Sequence, residues 1–294
     1  MKKTLRIVGM GLAAVLLSVG MTACLGGDDD EDGEDLWEGS VEAPAYESDA
    51  SCYTILDSDE LESIELTASG NYIIVPTAND SYYNAPLKSS KAEAGRGRRM
   101  FSRQSQSRAS DGRVIIFGEY SKLGDGSYNL DGYGKLTVVD DNTLIVTPNG
   151  GTEMTLRAEK KGTAKDSDLN NRFCRTWYVE SVKRQTYSGN NLIDEYNVPS
   201  SEIHEEYVKY VVVSKAGTFL QTDWDDSVES YGTWRWQNTK NQVFSYDFID
   251  EEGEGEVQVS FSGDKATFIE KFMEYDDDYG RDLLYVERIT TRSK

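Results

Sequence analysis

The sequence predicts an all-β protein built from two consecutive antiparallel meander domains. The first observation is composition: the 294 residues include 18 Tyr, 26 Gly and only 5 Pro, a bias typical of strands joined by tight turns. The second is that segments with alternating apolar and polar residues form two clusters, within 47–160 and within 172–294. The polar stretch 161–171 between them is predicted to be a linker.

Each cluster contains seven or eight short strand-like segments, a count that fits either a small up-and-down barrel or a β-sandwich. Several connections are predicted to be short hairpins, among them Ser69-Gly70, Asp141-Asn142 and Gly263-Asp264. Sequential hairpins favour a closed meander, because closure leaves no strand edge exposed. We therefore expect two barrels, with two β-sandwiches as the alternative.

The two clusters align with each other as an internal repeat. Residues 64–72 and 211–219 share one pattern: apolar, any residue, apolar, hydroxyl, two residues, glycine, any residue, aromatic. Three further pairs keep the same order: 118–120 with 232–234, 128–131 with 244–247, and 134–136 with 255–257. This order predicts a duplicated β-domain; one continuous 16-strand assembly and two unrelated β-domains are the alternatives.

The first cluster carries an insertion, residues 84–112, that the second lacks. Residues 88–113 hold eight basic and two acidic side chains on an otherwise acidic chain and are rich in Ser, Gly and Arg. This composition predicts a disordered loop. Arginines also suit phosphate, sulfate and carboxylate, so contact with an anion is the functional alternative to a plain hairpin extension.

The N-terminus has the features of an export signal. Lys2, Lys3 and Arg6 precede an apolar run of 15 residues, 7–21, which is short for a membrane span but fits a signal-peptide core. Small residues then lead into Cys24, and this order resembles the lipobox of bacterial lipoproteins. The resemblance implies cleavage after residue 23 and a membrane anchor of several acyl chains on Cys24. An ordinary cleaved signal with an incidental cysteine is the alternative.

Seven acidic residues lie among positions 28–35, directly after this cysteine. They predict a solvated tether over residues 24–46. Asp28, Asp30 and Asp32 have the spacing of a calcium-binding EF-hand, but position 12 of that loop would be Gly39, which cannot act as the bidentate acidic ligand. Acids in this place resemble the surface-export signal of Bacteroidota lipoproteins, which implies an outer-membrane, lipid-anchored protein that faces the cell surface.

Three segments of the second cluster carry a further resemblance. Arg175-Thr-Trp177, Gly217-Thr-Phe219 and Gly232-Thr-Trp-Arg-Trp236 are similar to the lipocalin-like (calycin-like) domains of Bacteroidota lipoproteins. The resemblance covers residues 172–290 best and reaches the first cluster only through the repeat. It implies that the tryptophan of the opening strand closes the barrel floor. It also implies binding of a small hydrophobic ligand, a glycan or a protein partner.

An eight-stranded barrel is wide enough to hold one small ligand or to fill with its own side chains. Aromatic residues that share a face of their strands are therefore the candidate ligand-binding set, since side chains alternate along a strand. Plain core packing is the alternative interpretation. The set is Trp177, Phe219, Trp234, Trp236, Phe244 and Tyr246.

The remaining features argue against most other functions. The net charge of −21 repels nucleic acid. The single histidine, His204, argues against zinc, haem and histidine-based catalysis, so we expect no metal, no cofactor and no catalytic residues. Asp226-Ser-Val228 resembles a bacterial O-glycosylation acceptor at Ser227. We expect a non-enzymatic binding protein; the alternative is a structural or adhesive accessory subunit of a surface assembly, without a small-molecule pocket.

Overall fold

The computed structural model of the chain describes residues 44–77, 99–101, 115–249 and 254–294. It confirms the predicted fold class: the protein is all-β, with two closed antiparallel barrels of eight strands each. Closure excludes the β-sandwich alternative. The described helices are short, and none has the length and apolar character of a membrane-spanning segment.

The first barrel is an uninterrupted meander, closed by the pairing of its first strand with its last at Cys52 and Lys161. A short 3₁₀ turn, Glu47–Asp49, precedes it. Its strands are β1 (Ser51–Ile55), β2 (Leu61–Leu66), β3 (Asn71–Pro76), β4 (Ile116–Gly124), β5 (Ser127–Leu130), β6 (Gly134–Asp140), β7 (Thr143–Pro148) and β8 (Met154–Lys161).

The interior of the first barrel is filled by its own side chains. Large apolar residues alternate inward along the strands and pack as one cluster, as binary patterning requires. The fully buried members include Ile64, Leu66, Tyr72, Ile74, Leu130, Leu136, Leu144 and Val146.

The second barrel adds a ninth strand and two helices to the same meander. Its strands are β9 (Thr176–Ser188), β10 (Asn191–Asn197), β11 (Tyr210–Val213), β12 (Thr218–Thr222), β13 (Val228–Asn238), β14 (Val243–Phe248), β15 (Glu254–Ser262), β16 (Lys265–Asp276) and β17 (Arg281–Ser293). Pairing of β9 with β17 closes eight of them, and β10 forms a hairpin with the far half of β9. The helices are α1 (Asp168–Phe173) and α2 (Ser200–Glu206).

The predicted linker 161–171 is partly structured. Strand β8 extends to Lys161. Helix α1 begins at Asp168, because the hydroxyl of Ser167 caps the helix by accepting a hydrogen bond from the Asn170 N–H at 3.2 Å. Strand β10 and helix α2 were not predicted from the sequence.

The internal repeat has the same geometry in both barrels. Tyr72 lies directly opposite Gly118, and Phe219 lies directly opposite Gly232. In each case the aromatic ring covers the glycine so closely that a Cβ atom would come within 2.7 Å of the Tyr72 ring or 2.4 Å of the Phe219 ring. Glycine is therefore required at both positions for steric reasons.

The two barrels pack through the outer faces of neighbouring strands. Ile73 and Val75 of β3 pack against Tyr210, Val212 and Leu220 of β11 and β12 as a shared apolar cluster.

Candidate functional site

Four of the six aromatic residues predicted to bind a ligand lie inside the second barrel at the end that α1 closes: Trp177, Trp234, Trp236 and Phe244. The other two, Phe219 and Tyr246, contact each other and Phe248 farther along the interior, and the Tyr246 hydroxyl donates to Glu270. Five of the six are at least nine-tenths buried, and Trp236 is half-buried. Trp234 and Tyr246 also border a groove of about 510 Å³ on the outer surface of β13–β15.

Phe173, the last residue of α1, lies at the centre of this aromatic cluster. Its ring centroid is 4.7 Å from that of Trp234, 4.8 Å from that of Trp236 and 4.6 Å from that of Phe244. The Trp177 indole N–H donates to the Phe173 carbonyl at 2.9 Å and so fixes the helix to the first strand of the barrel. This end of the barrel is thus a core. Phe173 occupies the space between Trp234, Trp236 and Phe244, so these three residues do not surround an open pocket.

The other end of the second barrel is polar. Glu270 of β16 and Glu287 of β17 point inward and are 3% and 0% exposed. Burying a carboxylate is costly unless donors surround it. Glu270 accepts the Tyr246 hydroxyl at 2.9 Å, and Glu287 accepts the Tyr207 hydroxyl at 2.8 Å and the Arg184 Nε–H at 2.9 Å.

Further donors to both carboxylates come from the insertion of the first barrel. Arg99 forms an ion pair with Glu287, and the Met100 N–H donates to Glu270 at 2.9 Å. Met100 and Phe101 are fully buried. The prediction of disorder over 84–112 is therefore wrong for residues 99–101, because their apolar side chains and main-chain groups find partners inside the second barrel. Residues 84–98 and 102–112 lie outside the described part of the chain.

Burial also sets the acidity of Glu270. Desolvation raises its pKa to about 7, while the Met100 N–H and Arg99 act in the opposite direction by stabilising the charged form. The Oε2 atoms of Glu270 and Glu287 are buried and accept no hydrogen bond from the described residues. This end of the barrel thus keeps acceptor capacity for further donors.

Above these carboxylates lies an open cleft of about 680 Å³. It forms between two hairpins, β9–β10 and β16–β17, whose strands extend past the barrel wall. The lining residues are Arg99, Arg184, Thr186, Ile193, Asp194, Tyr196, Phe272, Glu274, Tyr275, Asp276, Asp277, Asp278, Tyr279 and Tyr285.

Aromatic faces and carboxylates dominate the cleft. Phe272 and Tyr285 stack with centroids 5.4 Å apart and ring planes 11° from parallel, and Arg99 lies over the Phe272 ring at 4.6 Å. Tyr275 and Tyr279 are more than half exposed at the rim. The lining holds five carboxylates and two arginines, and both arginines are already paired with Glu287. The cleft therefore disfavours anions and offers stacking surfaces beside hydrogen-bond acceptors.

Comparison with known proteins adds little to this geometry. No family model and no curated protein matches the chain. A solved structure from Nostoc punctiforme, described as a protein with unknown function from the DUF3598 family, aligns with 83% of this chain and 94% of its own. The identity is 11% and the TM-score is 0.22, values too low to support any inference about fold or function.

Part of the polar end was recognisable in the sequence. Alternation along β16 places Glu270 on the same face as Phe268 and Phe272, and alternation along β17 places Glu287 with Tyr285. A carboxylate at an inward position between aromatic residues signals a buried charge that needs partners. No comparable signal marked Arg99 as one of those partners.

Two other predicted sites have different outcomes. Ser227 lies in the turn between β12 and β13, where it is exposed and its hydroxyl donates to Asp225 at 2.6 Å. Cys24 lies outside the described residues. The other two cysteines, Cys52 and Cys174, are free thiols.

Proposed function

We propose that this protein is a lipid-anchored surface lipoprotein of the Bacteroidota type that binds a neutral glycan in the cleft at the mouth of its second barrel. The ligand class is inferred from a single observation, the composition of the cleft: it has a stacked aromatic pair, tyrosines at its rim and an excess of carboxylates. Pyranose rings present C–H faces to aromatic rings and hydroxyl groups to carboxylates, so both kinds of side chain contribute to binding. The acidic lining repels sulfated or sialylated glycans and fatty-acid carboxylates.

Binding to a panel of immobilised oligosaccharides tests this proposal. We expect neutral glycans to bind and their sulfated or sialylated counterparts to fail. Tyr279→Ala and Tyr275→Ala should each weaken binding by about tenfold, because each removes a stacking face. Leu123→Ala, an exposed side chain of the first barrel, is the matched control and should bind as the parent does. Equal binding of charged and neutral glycans would refute the ligand class, and unchanged affinity in both tyrosine variants would refute the site.

The anchor is a separate part of the proposal and rests on the order of the N-terminal residues. Cys24→Ala removes the thiol that acylation requires. In a Bacteroidota host we expect the parent protein in the membrane fraction, with metabolic labelling by a fatty-acid analogue, and the variant unlabelled and released from the membrane. Cys52→Ala serves as the control, since its thiol belongs to the first barrel. Membrane association of the Cys24 variant equal to that of the parent would overturn the anchor.

A protein partner is the second candidate for the same surface. Ile193 lines the cleft, and Leu192 and Met273 are sequence neighbours of lining residues; the three are exposed to the extent of 36%, 48% and 59%. Exposed apolar residues grouped with tyrosines are typical of protein-binding surfaces. This candidate fits an accessory subunit of a surface assembly. It predicts that Met273→Asp abolishes partner capture while glycan binding is unaffected.

A further inference from the structure

The polar end of the second barrel holds a segment of the same chain, residues 99–101. Arg99, Met100 and Phe101 belong to the insertion between β3 and β4 of the first barrel, yet their partners are on strands far along the chain: the Met100 N–H donates to Glu270, 170 positions away. The equivalent connection in the second barrel, between β12 and β13, is a short turn of residues 223–227. The repeat by itself therefore does not require this segment.

The barrel recognises the main chain of this tripeptide with side chains. The Gln221 side-chain amide donates to the Met100 carbonyl, and the Ser230 hydroxyl donates to the Gln221 Oε1 atom, which orients the amide toward the peptide. On the opposite side, Glu270 accepts the Met100 N–H and is itself positioned by the Tyr246 hydroxyl. Met100 and Phe101 form a turn, and hydrogen bonds to its main chain from both sides hold it in one orientation. The supporting hydrogen bonds from Ser230 and Tyr246 pre-organise the groups that make these contacts.

The side chains of the tripeptide supply the specificity. The Arg99 guanidinium pairs with Glu287 and covers the Phe272 ring. The Phe101 ring lies 4.7 Å from the Phe268 ring, and the Phe101 carbonyl accepts the Val208 N–H at 3.0 Å. Met100 between them is fully buried. The segment thus presents a paired cation, then a fully buried methionine, then a buried aromatic ring.

Charge gives a second, independent argument for a peptide ligand. Residues 88–113 carry eight basic side chains, and the cleft directly outside Arg99 is lined by five carboxylates. The barrel also buries two carboxylates, Glu270 and Glu287, that would lose an N–H donor and an ion pair if the segment left. Such burial is costly in an empty site and is compensated when a basic peptide occupies it.

We propose that the polar end of the second barrel is a binding site for a short basic peptide with an Arg-Met-Phe core, and that residues 99–101 are a ligand which the chain supplies to itself. The segment is covalently attached, so its effective concentration at the site is on the order of millimolar. A separate peptide of the same chemistry binds only when this internal copy is removed or weakened. The inference goes beyond the glycan cleft: Arg99 also lines that cleft, but Met100 and Phe101 are fully buried and do not line it, and the peptide site is tested with a different ligand.

The test uses the full chain and a fluorescent synthetic peptide with the sequence of residues 97–103, Gly-Arg-Arg-Met-Phe-Ser-Arg. The receptor is the triple variant Arg99→Ser/Met100→Ser/Phe101→Ser, and binding is followed by fluorescence anisotropy. We expect saturable binding to the triple variant and an apparent affinity about 100-fold lower for the parent protein, whose site is occupied. A peptide with serine in place of Met and Phe keeps every charge and controls for non-specific attraction to an acidic protein. It should bind neither the triple variant nor the parent protein.

Site variants locate the binding. Gln221→Leu in the triple background removes the amide that donates to the Met100 carbonyl and should lower peptide affinity about tenfold. If the triple variant fails to fold, Phe101→Ala alone loosens the internal copy, and it should bind the peptide about tenfold more tightly than the parent does. The proposal is overturned if the folded triple variant fails to distinguish the peptide from its charge-matched control. Equal affinity of the parent and the loosened variant also overturns it.

Discussion

Phe173→Ala is expected to destabilise the second barrel by about 3–5 kcal/mol, the usual cost of deleting a fully buried phenyl ring. Phe173 is 0% exposed and contacts Trp234, Trp236 and Phe244 at centroid distances below 5 Å. These rings extend from strands fixed by pairing, so they cannot collapse into the space that the phenyl group leaves. Urea unfolding followed by tryptophan fluorescence measures the effect, because the described tryptophans all lie in residues 177–236 of the second barrel.

Two control variants separate the cavity from other effects. Phe173→Leu keeps most of the buried volume and should cost about 1–2 kcal/mol. Tyr279→Ala removes an aromatic ring that is 52% exposed and should change stability by less than about 0.5 kcal/mol. A loss below 1 kcal/mol in Phe173→Ala would mean that α1 does not close the barrel. The aromatic cluster would then not be centred on Phe173.

Most of the fold could be predicted from the sequence. Alternation along single strands and the order of the glycine–aromatic motifs are local signals. The glycine–aromatic motif recurs because Gly118 and Gly232 each accommodate an aromatic ring from the preceding strand. The same local signals predicted that Phe219 and Phe244 share the interior of the second barrel. They could not show that Phe173 of α1 would fill the space between the strands, since a six-residue helix has no strong periodicity.

The polar end of the second barrel depended on contacts that no local pattern encodes. Arg99 lies among glycines, serines and other arginines, a composition that predicts disorder, and its partner Glu287 is 188 positions away. The composition of a segment describes its own ability to form a core. Composition does not describe the ability of the second barrel to bind residues 99–101 of this segment.

Acidification from pH 8 to pH 5.5 is expected to stabilise the folded protein by about 2 kcal/mol for each of two buried carboxyls, Glu65 and Glu270. Burial raises the pKa of each from 4.5 to about 7. The folded state therefore binds a proton more tightly than the unfolded chain does. Lowering the pH from above 7 toward 4.5 then favours the folded state, and raising it does the reverse. Urea unfolding at a series of pH values measures the change.

Two exposed charged pairs affect stability only at a lower pH. Lys265 and Arg292 hold the pKa of Glu180 below its usual value, and Lys183 does the same for Glu195. Both pairs have the opposite sign, since a lowered pKa adds stability that is lost only as the pH falls below about 4.5. They are also exposed, so their contribution is small.

Glu65 is the cleaner of the two carboxyls to test, because it lies outside the second barrel and contacts no residue of the tripeptide. It projects from β2 toward the second barrel, where the Ser214 hydroxyl donates to one of its oxygens and the Thr218 hydroxyl donates to the other at 2.7 Å. Cys52 lies opposite it on β1, and the burial of Glu65 is the main cause of its raised pKa. Glu65→Gln has nearly the shape of the protonated acid and carries no charge at any pH.

The variant should therefore lose about 2 kcal/mol of the pH-dependent gain and be more stable than the parent at pH 8. Glu153→Gln, an exposed position of the first barrel, is the matched control and should keep the full dependence of the parent. If Glu65→Gln and the parent show the same slope of stability against pH, the carboxyl is not buried between the barrels. The packing of β2 against β11 and β12 would then be looser than the hydrogen bonds from Ser214 and Thr218 imply.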